Sequence, residues 1–204
     1  MARPPEFDRP QVLQAALHVF WRDGYESASI QKLLDAMALN RGSLYSAFGD
    51  KEGLFLEVLD CYIDYQSENL ELNLMGKDDP IVAIRSFLEG FALHEDSEMR
   101  ERGCLVFNTI AELSHTRPHL AKEARTKVIF LRGLFVNRLE QAYKLGLIRA
   151  DKQVDELADY LMALAVGLRT HCKMQTNPGV IREVIDIGLG TLTPSADKQL
   201  VPLL

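Results

Sequence analysis

Four residues suited to capping helix N-termini, Asp8, Ser29, Asn40 and Asp50, fall within the first 50 positions, and an apolar stripe follows each. Such a side chain accepts a hydrogen bond from an otherwise unpaired amide of the first turn, so its position marks where a helix begins. The stretch "QVLQAALHVFW" (11–21) sets Val12, Ala15, Ala16, Val19 and Phe20 on one side of a helix. Asp8 with Gln11 resembles a capping box, Pro10 fits the first turn, and Gly24 is suited to the left-handed stop. Ser29 opens a second, short helix through Ile30, Leu33, Leu34 and Met37, and Asn40 a third. Asp50 opens a fourth through Leu54, Val58, Cys61 and Ile63. Starts this close together leave room only for short helices folded into one compact unit.

Beyond it the helices lengthen. Breaks fall at "MGKDDP" (75–80), "RERG" (100–103), "SHTRP" (114–118), "KLGLIRAD" (144–151) and "QTNPG" (175–179), and no stretch alternates like a strand for long. Val154, Leu157, Leu161, Leu164, Leu168 and Cys172 line one face of a helix, and Val180, Val184, Ile187 and Thr191 one face of another. The expected fold is all-α, with a three-helix head over residues 1–55, a larger helical bundle over 56–193 and a flexible tail from 194 to 204.

The chain has 204 residues, of which 47% are hydrophobic and 25% charged, an ordinary balance for a folded domain or two. Neither an apolar run long enough to span a membrane nor a signal-peptide core is present, so a cytoplasmic protein without a membrane partner is expected. Cys61, Cys104 and Cys172 lie far apart without CxxC spacing, which disfavours a disulfide scaffold or zinc ribbon. The net charge of −6 rules out coating nucleic acid by bulk electrostatics and leaves a local patch as the alternative. Residues 1–55 carry six Lys or Arg against seven Asp or Glu, so the head is nearly neutral.

Helices at 29–37 and 40–47, joined by about three residues, have the proportions of a helix-turn-helix, whose second helix enters the major groove of DNA. Gly42 and Ser43 at the start of that helix allow close approach, while Leu44 and Phe48, four apart, face the head's own core. Tyr45 is left facing outward. Its hydroxyl and the Lys51 ammonium at the next helix start can bond phosphates, and Arg41 and Ser43 can reach bases or phosphates. Short capped helix pairs also occur in proteins that never touch DNA. Here, however, "GYESASIQKLLDAMALNRGSLYSAFGDKEGLFLEVLD" (24–60) resembles the DNA-binding head of the tetracycline-repressor (TetR) family, in Gly24-Tyr25, Ser29-Ile30, Leu44-Tyr45, Phe48, Lys51-Glu52 and Leu54-Phe55. Ala38 departs from the family's frequent turn Gly, and Ala47 from its His or Tyr. A left-handed Ala38 would cost on the order of 1 kcal/mol, which a different turn would avoid.

The resemblance implies a homodimeric repressor on an inverted-repeat double-stranded DNA operator, with Ser29, Lys32, Arg41, Gly42, Ser43, Tyr45 and Lys51 as DNA contacts. "GCLVFNTIAEL" (103–113) and residues 142–170 look like one group of the family's regulatory domains, which carries a Gly-Cys-Leu-x-x-Asn pattern. In that group the last two long helices pack against the dimer mate. Here they would run at about 153–173 and 178–192, with Leu161, Leu164, Ala165, Leu168, Val184, Ile187 and Thr191 at the interface. The alternative is that these positions face the subunit's own core. For a small-molecule or electrophile inducer the candidates are Cys104, Phe107, Asn108, Phe91, Phe130 and Tyr143, with Phe87, Met99 and Phe135 as further linings; each also serves as core. A thiol in the first turn of the helix after Gly103, near Arg100 and Arg102, is placed to react with electrophiles. No cofactor is expected, and no metal, since only His115 and His119 share a helical face and Pro118 interrupts it. A thiol-dependent enzyme built on Cys104 has no supporting signature. An interaction protein with a degenerate head would not need Tyr45 and Lys51.

Overall fold

The computed structural model describes residues 7–75, 78–93, 97–174 and 177–194, and every regular element among them is helical. The helices are α1 (Arg9–Asp23), α2 (Ile30–Met37), α3 (Arg41–Phe48), α4 (Lys51–Met75), α5 (Pro80–Ala92), α6 (Ser97–Arg102), α7 (Leu105–Leu113), α8 (Pro118–Lys144), α9 (Val154–His171) and α10 (Pro178–Gly190). All four early caps form. Asp8 accepts from the Gln11 amide at 3.4 Å, Ser29 from Lys32 at 3.2 Å, Asn40 from Ser43 at 2.8 Å and Asp50 from Gly53 at 2.8 Å. The later breaks coincide with starts of the same kind: Asp79 caps α5 ahead of Pro80, and Asn177 caps α10 ahead of Pro178. The expected tail, from 195 onward, lies outside the described residues.

Two compact units result, Met1–Glu68 with Cys104–Val128 and Asn69–Gly103 with Ile129–Leu204. They cut across chain order, because α7 and the start of α8 belong with the helices of the head. In this first unit the faces of α1 to α4 meet in an aromatic core. Phe20 and Tyr25 each stand edge-on to Phe55 with ring centres 4.9 Å apart, and Trp21 stands edge-on to Tyr62 at 5.1 Å. Arg9 ties three of the helices. Its guanidinium grips Glu57 at 2.6 Å, reaches the Ala47 carbonyl at 3.3 Å and lies 4.5 Å from the centre of the Phe48 ring.

The second unit is built around Ile84, Leu88, Phe135, Leu139, Leu161, Ile181 and Ile185, all fully buried. Phe87 stacks on Phe91 and stands edge-on to Phe135. Buried Arg169 is held by carbonyls, donating to Phe91 O at 2.7 Å and Gly103 O at 3.2 Å. Helices α9 and α10 meet closely at Gly188, where a Cβ would stand 2.6 Å from Leu164 Cδ2 and 3.2 Å from the Tyr160 hydroxyl. Even one methyl at this crossing forces the Leu164 side chain to move.

Candidate nucleic-acid interface

Helix α2 ends in a paired backbone closure. The Leu39 amide donates to Leu34 O at 3.1 Å and the Ala38 amide to Asp35 O at 3.4 Å, the bond pattern that places the intervening residue in the left-handed region. Ala38 occupies that region, with φ 52° and ψ 37°. The alternative turn considered from sequence is therefore not used, because only this geometry satisfies both carbonyls in a three-residue connection. The left-handed Ala38 carries a Cβ strain on the order of 1 kcal/mol.

Helix α3 splits cleanly into two sides. Leu44 and Phe48 are buried, while Arg41, Gly42, Tyr45 and Ser46 are exposed and Ser43 is half-buried. No residue of α3 is acidic. Gly42 has an ordinary φ, and a Cβ there would stand 3.3 Å from Asn40 Oδ1, the oxygen that accepts the capping bond of α3, so a methyl at this position presses on the cap.

Gly53, in the first turn of α4, makes a close approach that the sequence did not reveal. Its ideal Cβ would lie 2.1 Å from the Phe48 carbonyl oxygen, so the start of α4 is pressed against the end of α3. Its ordinary helical context gave no signal, since only the three-dimensional approach of Phe48 distinguishes it from any other helical glycine.

Lys51, a candidate phosphate contact, is half-buried. Its ammonium lies 4.4 Å from the centre of the Tyr25 ring, and burial pushes its pKa below the ordinary lysine value. Tyr25 is itself nearly fully buried, with its pKa pushed up to about 12 by burial. The ring thus holds a partly desolvated charge at the N-terminus of α4. Lys32 also has partners, donating to Asp23 at 2.8 Å and to Ser27 O at 3.3 Å. Hydrogen bonds from Arg22 and Lys32 hold the Asp23 carboxyl well below the usual carboxylate range. With two of its three donors engaged, the Lys32 ammonium keeps one to offer a phosphate. The Ser29 oxygen accepts the α2 capping bond, which leaves its proton to donate outward.

The residues expected to face an inducer are divided between the units, Cys104, Phe107 and Asn108 in the first and Phe91, Phe130 and Tyr143 in the second. Phe130 and Tyr143 are about half exposed, at 48% and 49%. Phe107, Asn108 and Phe91 are half-buried, Phe87 and Phe135 are core, and the Met99 side chain is outside the described set. Cys104 is the N-cap of α7 rather than a first-turn residue, and its thiol makes no capping bond. It is buried, at 7% exposure.

Among the interface candidates, Leu161, Ala165 and Leu168 are buried within the subunit, and their assignment to a contact surface is corrected. Helical periodicity marks the face with the most apolar residues, and on α9 that face belongs to the subunit's own core. Leu164 and Val184 are half-buried, and Ile187 and Thr191 are exposed. Ile187 has 72% of its surface in solvent, and Tyr160 and Val180 are further exposed apolar residues of the same helix pair.

Comparison with known proteins agrees with this geometry. Residues 12–58 match the family model described as bacterial regulatory proteins of the tetR family, and residues 80–187 that of the tetracyclin repressor-like C-terminal domain. The HTH-type transcriptional regulator YezE of Bacillus subtilis is 30% identical over 94% of this chain and 100% of its own. The HTH-type transcriptional repressor ComR of Escherichia coli is 29% identical over 81% of this chain and 80% of its own. Among solved structures, a cysteine mutant of the TetR family regulator CifR, in complex with a 26-base-pair operator, superposes with a TM-score of 0.78. It is 31% identical over 94% of this chain and 100% of that one. These relatives are transcriptional regulators, not enzymes. With a helix-turn-helix whose second helix turns a non-acidic, glycine-bearing face outward, and with family matches over both parts of the sequence, the chain belongs to the tetracycline-repressor family of DNA-binding transcriptional regulators.

Proposed function

We propose that the protein is a homodimeric repressor that reads an inverted-repeat operator and is released by a small molecule or a reactive electrophile. The observation that carries the DNA-reading part is the outward side of α3, where Arg41, Gly42, Ser43 and Tyr45 stand free of acidic neighbours on the helix. Beside them Lys51 is held by Tyr25 at the start of α4. A dimer is supported by the apolar surface of α9 and α10, with Ile187 most exposed. Two-fold symmetry then requires inverted half-sites. That CifR was solved on operator DNA and ComR is a named repressor supports the same reading.

For the release signal, Cys104 within the Gly-Cys-Leu-x-x-Asn stretch is the favoured thiol. An adduct at the buried start of α7 releases DNA only if it favours a state whose heads no longer fit the operator. Wild type treated with N-ethylmaleimide or hypochlorite is expected to release operator DNA, while Cys104→Ser remains bound. If both release equally, or neither does while mass spectrometry shows Cys104 modified, the inducer is a reversibly bound small molecule and Cys104 is structural.

A further inference from the structure

Lys32 pairs with Asp23 and Lys127 with Asp60, whereas Lys51 has no carboxylate oxygen in ion-pair contact among the described residues. Its ammonium rests instead on the Tyr25 ring, 4.4 Å from the centre. The carboxylates around it are engaged elsewhere. Glu112, near the end of α7, accepts from the Tyr25 amide at 3.0 Å with one oxygen and from the Glu26 amide at 2.9 Å with the other. Glu26 accepts from Arg117, just before α8, at 3.1 Å. Glu52 of α4 accepts from Arg117 at 2.8 Å and pairs with His119 at 2.9 Å.

A second cation shares the ring. The Arg117 guanidinium lies 5.2 Å from the Tyr25 centre, so two positive groups meet one aromatic side chain that is itself nearly fully buried. Burial is the largest influence on Lys51 and lowers its pKa, Glu26 and Glu112 act to raise it, Arg117 adds to the lowering, and the net direction is downward. At a given pH more of Lys51 is therefore free amine than in an ordinary lysine, and only the amine is a nucleophile. The residue is half-buried rather than enclosed, so solvent, and with it a small electrophile, reaches the side chain.

We propose that Lys51, seated on Tyr25 beside Arg117, is a site of N-acylation by acyl phosphates, through which such a donor weakens the protein's hold on DNA. The effect on DNA rests on the operator reading above. In the reaction the Nζ lone pair attacks the carbonyl carbon and a C–N bond forms. The bond from that carbon to the bridging oxygen breaks, phosphate leaves with the bonding electrons, and the nitrogen gives up a proton to solvent. The resulting amide is neutral and no longer pairs with a DNA phosphate, so each head loses one contact that releases a counterion.

The test incubates the full-length protein with acetyl phosphate in the absence of DNA and follows each lysine by mass spectrometry. Lys51 is expected to be acetylated at least about threefold faster than Lys122 and Lys144, two exposed lysines of α8. Arg117→Gln, shown to be folded by a thermal melt, should slow the reaction at Lys51, because it takes the second cation from the ring and frees Glu26 and Glu52. In wild type acetylated at Lys51 the salt dependence of operator binding should flatten by about one unit for each head. Treated Lys51→Arg should keep the affinity it had before treatment. Acetylation of Lys51 no faster than of Lys122 and Lys144 overturns the proposal, as does a wild-type rate at Lys51 in folded Arg117→Gln. Equal losses of affinity in treated wild type and treated Lys51→Arg overturn it too. A Lys51→Ala protein that binds operator as wild type does overturns the phosphate-contact reading and the effect on DNA with it, an outcome distinct from the acetylation rates because those are measured without DNA.

Discussion

Gly53→Ala is expected to lower operator affinity by at least about 30-fold while leaving the protein folded. The added methyl would stand 2.1 Å from the Phe48 carbonyl oxygen, and backbone, unlike the end of a flexible side chain, cannot turn aside. The end of α3 and the start of α4 must separate, at an overpacking cost of about 1–3 kcal/mol. That displacement moves α3 relative to Lys51. If each of two heads forfeits one good base contact, at roughly 1–3 kcal/mol apiece, the loss compounds to the stated factor. Fluorescence titration on the selected operator measures it, with a thermal melt as control. A variant that melts lower but binds as wild type would show that the α3–α4 junction does not set the reading geometry.

The second large effect is expected at Ile187, where Ile187→Glu should give a folded monomer that no longer retains operator DNA. The side chain is 72% exposed in the single chain, so the substitution disturbs no intrachain packing. Leu164→Glu would be ambiguous by comparison, since Leu164 packs against Gly188. Burial of an isoleucine at an interface contributes about 1.5–3 kcal/mol, once from each subunit under two-fold symmetry. An unpaired carboxylate in its place costs several kcal/mol more. Loss of the dimer removes bivalent binding, typically worth about 10²–10⁴ in apparent affinity. Sedimentation velocity showing an intact Ile187→Glu dimer would move the interface away from this face of α10.

Much of this architecture was legible from short-range chemistry. Caps at Asp8, Ser29, Asn40 and Asp50 act within three residues, and prolines at 80, 118 and 178 stand at the first positions of their helices. The i, i+4 pair Leu44 and Phe48 separated the inner and outer sides of α3 correctly for the same reason. Features requiring two distant segments were not legible. Nothing local to Gly53 announces the Phe48 carbonyl, and nothing local to Glu112 announces the Tyr25 and Glu26 amides. The contact of Lys51 with the Tyr25 ring was not legible either, because Tyr25 lies two helices earlier. At Leu161, Ala165 and Leu168 the apolar period was read correctly and its destination was not. A stripe indicates burial without saying whether the covering surface belongs to the same chain.

The most direct measurement is selection from a pool of random duplexes by the full-length protein, followed by titration of the recovered sequence across a range of salt concentrations. An inverted repeat should be enriched, and affinity should fall steeply with salt as counterions are released. Arg41→Ala should alter the recovered half-site or weaken its selection. Lys51→Ala should weaken binding to all sequences alike and flatten the salt dependence by about one unit for each head. Recovery of no common sequence, or of one that Arg41→Ala, Tyr45→Phe and Lys51→Ala all bind as wild type does, would contradict the assignment of α3 as the reading helix.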